Sequence, residues 1–115
     1  MGKQFYWSKY HWNYANERAR LVEIVQGRGN FEADELDEYW GIKARGQGAS
    51  VQDALALGWR LGFVAGTDNH QGHPTQQPGG NVGMTCFRAA ELTREDIWQA
   101  MVEGRSYATS GVPIV

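Results

Sequence analysis

The sequence predicts an α/β fold with a mainly parallel sheet, and three observations predict it. Periodic segments follow one another as strand, helix, strand, loop, strand, helix, strand. Both helical segments open on a capping residue with an aspartate three positions later, Ser50 with Asp53 and Thr93 with Asp96. A link of only a few residues then joins the first helix to the strand after it, as in α/β units.

The elements follow in order. Residues 1–14 carry Phe5, Tyr6, Trp7, Tyr10, Trp12 and Tyr14, a density of rings that would be poorly tolerated in water on a bare tail, so they are expected to cover another surface. "RLVEIV", residues 20–25, brackets Glu23 with apolar and β-branched side chains, and the turn signal "QGRGN" follows it, which predicts a strand with Glu23 inside. Residues 31–49 mix acidic side chains with glycines and read as loop, with a helical turn around residues 33–39. Val51, Ala54, Leu55, Leu57 and Leu61 form an apolar stripe that predicts a helix over residues 51–60, fraying at Gly58 and Gly62. "GFVAGTD" is a bounded apolar run and reads as a short buried strand. Residues 71–83, rich in Gly, Pro and Gln, are loop. "MTCFRA" predicts a strand, Thr93 caps a helix with Ile97, Ala100 and Met101 on its apolar face, and "RSYATSGVPIV" closes the chain as strand, turn at Gly111 and extended tail.

Bulk properties narrow the classes. The 115 residues fit a single domain spanning residues 1–115. Eleven basic against thirteen acidic side chains, with no block of like charge, give a net charge of -2 and no nucleic-acid footprint. The most apolar region, residues 54–65, is interrupted by Arg60 and too short for a bilayer, and no segment reads as a targeting signal. The lone Cys86 excludes an internal disulfide and leaves the compartment open.

The chemistry concentrates in "GFVAGTDNHQGHP", residues 62–74. In an extended strand, positions i and i+2 share a face, so Asp68 and His70 are expected to project together with Asn69 opposite. A carboxylate oxygen and an imidazole nitrogen suit a divalent ion that polarises a water for attack. Ligand sites of α/β proteins also lie at the carboxyl ends of parallel strands. The competing reading is turn chemistry, since Asp and Asn favour turns by bonding nearby backbone and an Asp-x-His triplet is common by chance.

Three segments in order, "VEIVQGRGNFE", "GFVAGTDNHQGHP" and "AAELTREDIWQAMVEGRSYATSG", resemble the C-terminal half of polymerase-and-histidinol-phosphatase (PHP) superfamily metal-dependent hydrolases, within a largely uncharacterised bacterial branch. The resemblance spans residues 21–111 and implies part of a distorted (βα)7 barrel, a partial (βα)-barrel here. It also implies a site of up to three divalent ions, Zn, Mn or Fe, that hydrolyses small phosphate esters. By the resemblance Asp68 and His70 match the last metal-binding motif, Asp-x-His, while Glu23 matches a recurrent acidic strand position without being an assured ligand.

Departures from the pattern set further expectations. The family's first motif, His-x-Asp-x-His, is absent, and the histidines are His11, His70 and His73, with the surroundings of His11 unlike the middle motifs. The chain is therefore expected to be a C-terminal portion of a longer hydrolase in which a metal-activated water attacks the ester, to bind metal weakly or not at all alone, and to be inactive by itself. Unpaired sheet edges and the aromatic N-terminus predict self-association, and the alternative to an enzyme is a self-association or partner-binding module. His73 is expected to be a solvated loop residue, the Gly-rich "PGGNVG" a lid or connection, and Arg105 with Tyr107 either an anion contact or, in preference, a sheet-edge pair. Cys86, Trp59 and Trp98 are expected in packing roles.

Overall fold

Leu21, Val22, Ile24 and Val25 supply the branched side chains of strand β1 (Leu21–Gln26), and Gly27 turns the chain into β2 (Gly29–Asn30). A computed structural model of the protein describes residue 12 and residues 18–27, 29–33, 50–72 and 83–111. The turn is tight enough for Val25 to pair with Asn30 and Gln26 with Gly29, so β2 is antiparallel to β1. Helix α1 (Val51–Ala56) starts as its capping signature predicts. Ser50 Oγ accepts from Asp53 N–H, and Asp53 Oδ2 accepts from Ser50 N–H at 2.9 Å. Its next two N–H groups, of Val51 and Gln52, donate to the carbonyls of Phe31 and Glu32, which dock the helix on the segment after β2. The helix ends four residues before the expected boundary, because the chain turns at Leu57 and Gly58, the latter at φ 88°. Only Val51 and Ala54 of the expected stripe are buried, while Leu55 and Leu57 face solvent.

Strand β3 (Gly62–Ala65) pairs parallel with β1, Leu21 opposite Gly62 and Glu23 opposite Val64, with a bulge between Glu23 and Val25 that shifts the register before Ala65. The order of this sheet is β2-β1-β3. Strands β4 (Met84–Phe87) and β5 (Ser106–Thr109) form a second, antiparallel sheet, and helix α2 (Arg94–Val102) lies between them in sequence. The two sheets are joined by a side chain. The Thr85 hydroxyl donates to the Ala65 carbonyl at 2.7 Å and accepts from Ala65 N–H at 2.8 Å.

The mainly parallel sheet and the partial (βα)-barrel expected from the sequence are therefore incorrect for the described residues. One strand pair is parallel and two are antiparallel, in small mixed sheets. The physical reason lies in where α2 returns the chain. Arg88 N–H donates to the Arg105 carbonyl at 2.9 Å, so the connection between β4 and β5 is closed at its base and both strands leave that point antiparallel. At the other end of α2, Gly104 at φ 66° and the Arg105 N–H to Ala100 carbonyl bond fold the chain straight back into β5. Helical periodicity records that a helix lies between two strands, but not whether it crosses the sheet or extends from its end.

Helix α2 has the predicted cap, Thr93 Oγ1 accepting from Asp96 N–H at 3.1 Å, and it buries Ala100. Trp98 is 63 % exposed, contrary to its expected packing role. Trp59 is half-buried as expected. Its indole N–H donates to the Trp12 carbonyl at 2.8 Å, and the two rings meet edge to face with centroids 5.6 Å apart. Trp12 thus covers part of the surface after α1, while the other N-terminal rings, the expected helical turn beyond residue 33, most of the 71–83 loop and the extended tail lie outside the described residues. Among the described residues, no helix is long and apolar enough to cross a membrane.

Candidate metal site

Strands β1 and β3 run in the same direction, so their carboxyl ends open on one edge, and backbone bonds hold the two ends together there. Gly66 N–H donates to the Val25 carbonyl at 3.2 Å, and Gly27 N–H to the Thr67 carbonyl at 3.2 Å. The segment before β4 joins the same point. Gly83 N–H donates to the Gly66 carbonyl at 3.0 Å, with the backbones so close that a Cβ on Gly83 would lie 2.6 Å from Gly66 N and 2.8 Å from the Val25 carbonyl oxygen.

Asp68 and His70 lie just beyond this junction. The structure brings their side chains together, with His70 Nε2 3.6 Å from Asp68 Oδ1. The route differs from the strand geometry expected. β3 ends at Ala65, and Asp68 takes a left-handed conformation at φ 50°, so the pair forms across a turn and not along an extended face. Aspartate is among the few residues that enter this region at modest cost. Turn chemistry, the competing reading, is present at Thr67, whose hydroxyl accepts from Asn69 N–H at 3.2 Å. The Asp68 carboxylate accepts on Oδ2 from Gln26 Nε2, at 3.0 Å, and its Oδ1 lies toward His70.

The two side chains differ in setting. That of His70 is 76 % exposed and that of Asp68 28 %, which gives a solvent-facing imidazole above a partly sheltered carboxylate. Two donors each about 2.1 Å from a tetrahedral ion lie about 3.4 Å apart, so the 3.6 Å separation suits a shared divalent ion with little adjustment. Among the described residues, no third His, Cys, Asp or Glu joins them in a group able to hold an ion. Glu23 is exposed, and a Cβ on Gly66 would lie 3.1 Å from its Oε1, which places its carboxylate over Gly66 at the same end of the sheet. His11 and His73 lie outside the described residues, as does the "PGGNVG" segment apart from Gly83.

The remaining candidates have structural roles. Arg105 Nη1 donates to the Arg88 carbonyl at 2.7 Å and its Nε lies 2.6 Å from Glu103 Oε2, so this guanidinium clamps the base of the β4–β5 connection. Tyr107 faces Cys86 across the ladder, and its hydroxyl is pushed above its usual range first by the hydrogen bond with the Cys86 thiol and then by burial. A separate hollow of about 310 Å³, lined by Ile24, Val25, Asn30, Glu32 and residues 108–110, contains neither Asp68 nor His70.

Gln26 was not singled out in the sequence. Its available signal was position, a polar side chain ending an apolar strand immediately before a glycine turn, where it can be buried only with a partner. Comparison with family models, with curated proteins and with solved structures gives no match for this chain.

Proposed function

We propose that, in the longer hydrolase that the resemblance implies, Asp68 and His70 form part of a divalent-metal site used to hydrolyse small phosphate esters, with the remaining donors supplied by that parent's other metal-binding motifs. The observation that carries this reading is the 3.6 Å approach of Asp68 Oδ1 to His70 Nε2 at the carboxyl ends of the parallel strands β1 and β3. The order of motifs that resembles the PHP superfamily supports the reaction class.

A bound ion would supply Lewis-acid activation of a water and of the ester's phosphoryl group. The chain's own part is binding and orientation. Asp68 offers one oxygen on the side of His70, and the exposed imidazole leaves that side open to ion and substrate.

Elemental analysis and phosphomonoesterase assay of the longer parent hydrolase that the resemblance implies, with Asp68→Ala and His70→Ala beside it, test the reading. Loss of Zn, Mn or Fe in both variants, and of any hydrolysis of generic phosphate monoesters, is the expected result. Full metal content and hydrolysis in both variants would refute it.

A second reading, self-association, is favoured by the apolar surface of α2. Trp98 and Val102 lie one helical turn apart and are both exposed, and Leu92 just before the helix is 94 % exposed. Sedimentation at increasing concentration should then show a dimer that Trp98→Gln weakens, and a concentration-independent monomer would rule this reading out.

A further inference from the structure

We propose that the arginine-rich edge at the amino ends of β1, β3 and β5 is a docking surface for an acidic segment of a partner protein. The edge lies away from Asp68 and His70. The length of β1 separates it from the carboxyl strand ends by about 20 Å at roughly 3.3 Å per residue, so the proposal stands apart from the metal reading. The fold gathers this edge from distant parts of the chain. Arg20 directly precedes β1, and its carbonyl accepts from Gly62 N–H at 2.9 Å, which brings it to the start of β3 just after Arg60. The chain entering β5 crosses the same point, because a Cβ on Gly62 would lie 2.7 Å from Gly104 Cα and 2.8 Å from Ser106 Oγ. Arg105 lies between those two residues and is joined to Arg88 twice, by the Arg88 N–H bond to its carbonyl at 2.9 Å and by its own Nη1 at 2.7 Å. Arg20, Arg60, Arg88 and Arg105 thus meet at one edge, and all four are exposed.

The charge there is unbalanced. Arg105 is paired with Glu103, but among the described residues Arg20, Arg60 and Arg88 have no acidic partner. Glu91, exposed three residues after Arg88, offsets part of this charge and leaves the edge net positive. Clustered guanidiniums raise a positive potential that attracts anions, and each presents a planar fork that pairs with both oxygens of a carboxylate. Leu57, 60 % exposed and three residues before Arg60, adds apolar surface beside the charges. Arginine next to apolar side chains is a composition that protein interfaces favour. A nucleic-acid partner fits less well, since phosphate backbones select strongly basic proteins and this chain carries a net charge of -2.

Fluorescence anisotropy tests the proposal, with the full chain titrated into a labelled peptide of Glu-Glu-Leu repeats, a Gln-Gln-Leu peptide of the same length, and a single-stranded DNA of the same charge as the acidic peptide. The acidic peptide is expected to bind, more weakly as salt is raised, and the neutral peptide is not. Arg20→Gln, Arg60→Gln and Arg88→Gln should each weaken binding about 2- to 5-fold, as exposed charge pairs do, and the triple variant about 10-fold or more. Arg94→Gln removes the same charge at the far end of α2 and should stay within about twofold of the wild type. Far-UV circular dichroism checks that every variant is folded. No binding of the acidic peptide, equal binding of the neutral one, or a triple variant within about twofold of the wild type would overturn the proposal. So would a loss in Arg94→Gln as large as in the edge variants, and tighter binding of the DNA would make nucleic acid the partner instead.

Discussion

Replacing Thr85 by valine probes the joint between the two sheets with almost no change of shape. The Thr85 hydroxyl makes two hydrogen bonds to one residue of β3, from Ala65 N–H at 2.8 Å and to the Ala65 carbonyl at 2.7 Å, and so replaces a stretch of backbone ladder. Each such bond is worth about 1 kcal/mol net, and a partly buried backbone group left without its partner adds roughly another 0.5–1 kcal/mol. Thr85→Val is therefore expected to destabilise the protein by about 2–4 kcal/mol, reduced slightly by the higher strand preference of valine. At roughly 4 °C per kcal/mol for a chain of this size, Tm falls by about 8–16 °C. Thr85→Ser, which keeps the hydroxyl and loses a methyl group, should fall by less than about 1.5 kcal/mol. Urea unfolding followed by far-UV circular dichroism measures all three proteins. A valine variant within about 0.5 kcal/mol of the wild type, or equal losses in the two variants, would show that the hydroxyl does not join the sheets.

Two other outcomes are expected. Gly83→Ala should lower stability by about 1–3 kcal/mol in the same assay, because its new Cβ would meet Gly66 N at 2.6 Å and the Val25 carbonyl oxygen at 2.8 Å, atoms fixed in the β1–β3 ladder; an unchanged midpoint would mean that β4 does not press on that ladder. The Glu103 carboxyl is held below the usual carboxylate range by its hydrogen bond from Gln99, at 2.6 Å, and by the adjacent Arg105. A lowered folded-state value contributes stability that is complete above the ordinary glutamate range and is lost as pH falls through the folded value. Glu103→Gln should thus be less stable than the wild type near pH 7 and equal to it at about pH 3, a small gap because the pair is on the surface, and a gap that persisted in acid would contradict the assignment.

The sequence was most legible where a local chemical rule decides the outcome. Ser50 with Asp53 and Thr93 with Asp96 mark the starts of α1 and α2 because the capping bonds they make span three residues and depend on nothing distant. The five-residue apolar stripe after Ser50 was less reliable. Leu55 and Leu57 belong to that stripe yet are exposed, because burial depends on a neighbouring element and not on spacing along the chain. Strand partners were not legible for a related reason. Whether β5 lies parallel or antiparallel to β4 is set by the bond between Arg88 and Arg105, residues 17 positions apart. At the site, the pairing of Asp68 with His70 was anticipated, but the left-handed turn that produces it was not, since an i and i+2 spacing fits a strand and this turn equally well.

That turn explains why the pair does not need an ion to be brought together. Gly66, two residues before Asp68, is bonded on one side to Val25 of β1 and on the other to Gly83 before β4. Thr67 is bonded to Gly27, and Asp68 to Gln26. Two separate segments, residues 25–27 and Gly83, thus converge on three consecutive residues, and each bond removes freedom from the backbone that carries the carboxylate. A ligand ordered by the protein loses little entropy when an ion binds, so even a partial donor set holds its geometry better than the same residues on a free loop. The same bonds couple the site to the fold. Weakening the β3–β4 joint at Thr85 or Gly83 is expected to loosen the Asp68 turn, and on the proposed metal reading the affinity for an ion should fall with stability in those variants.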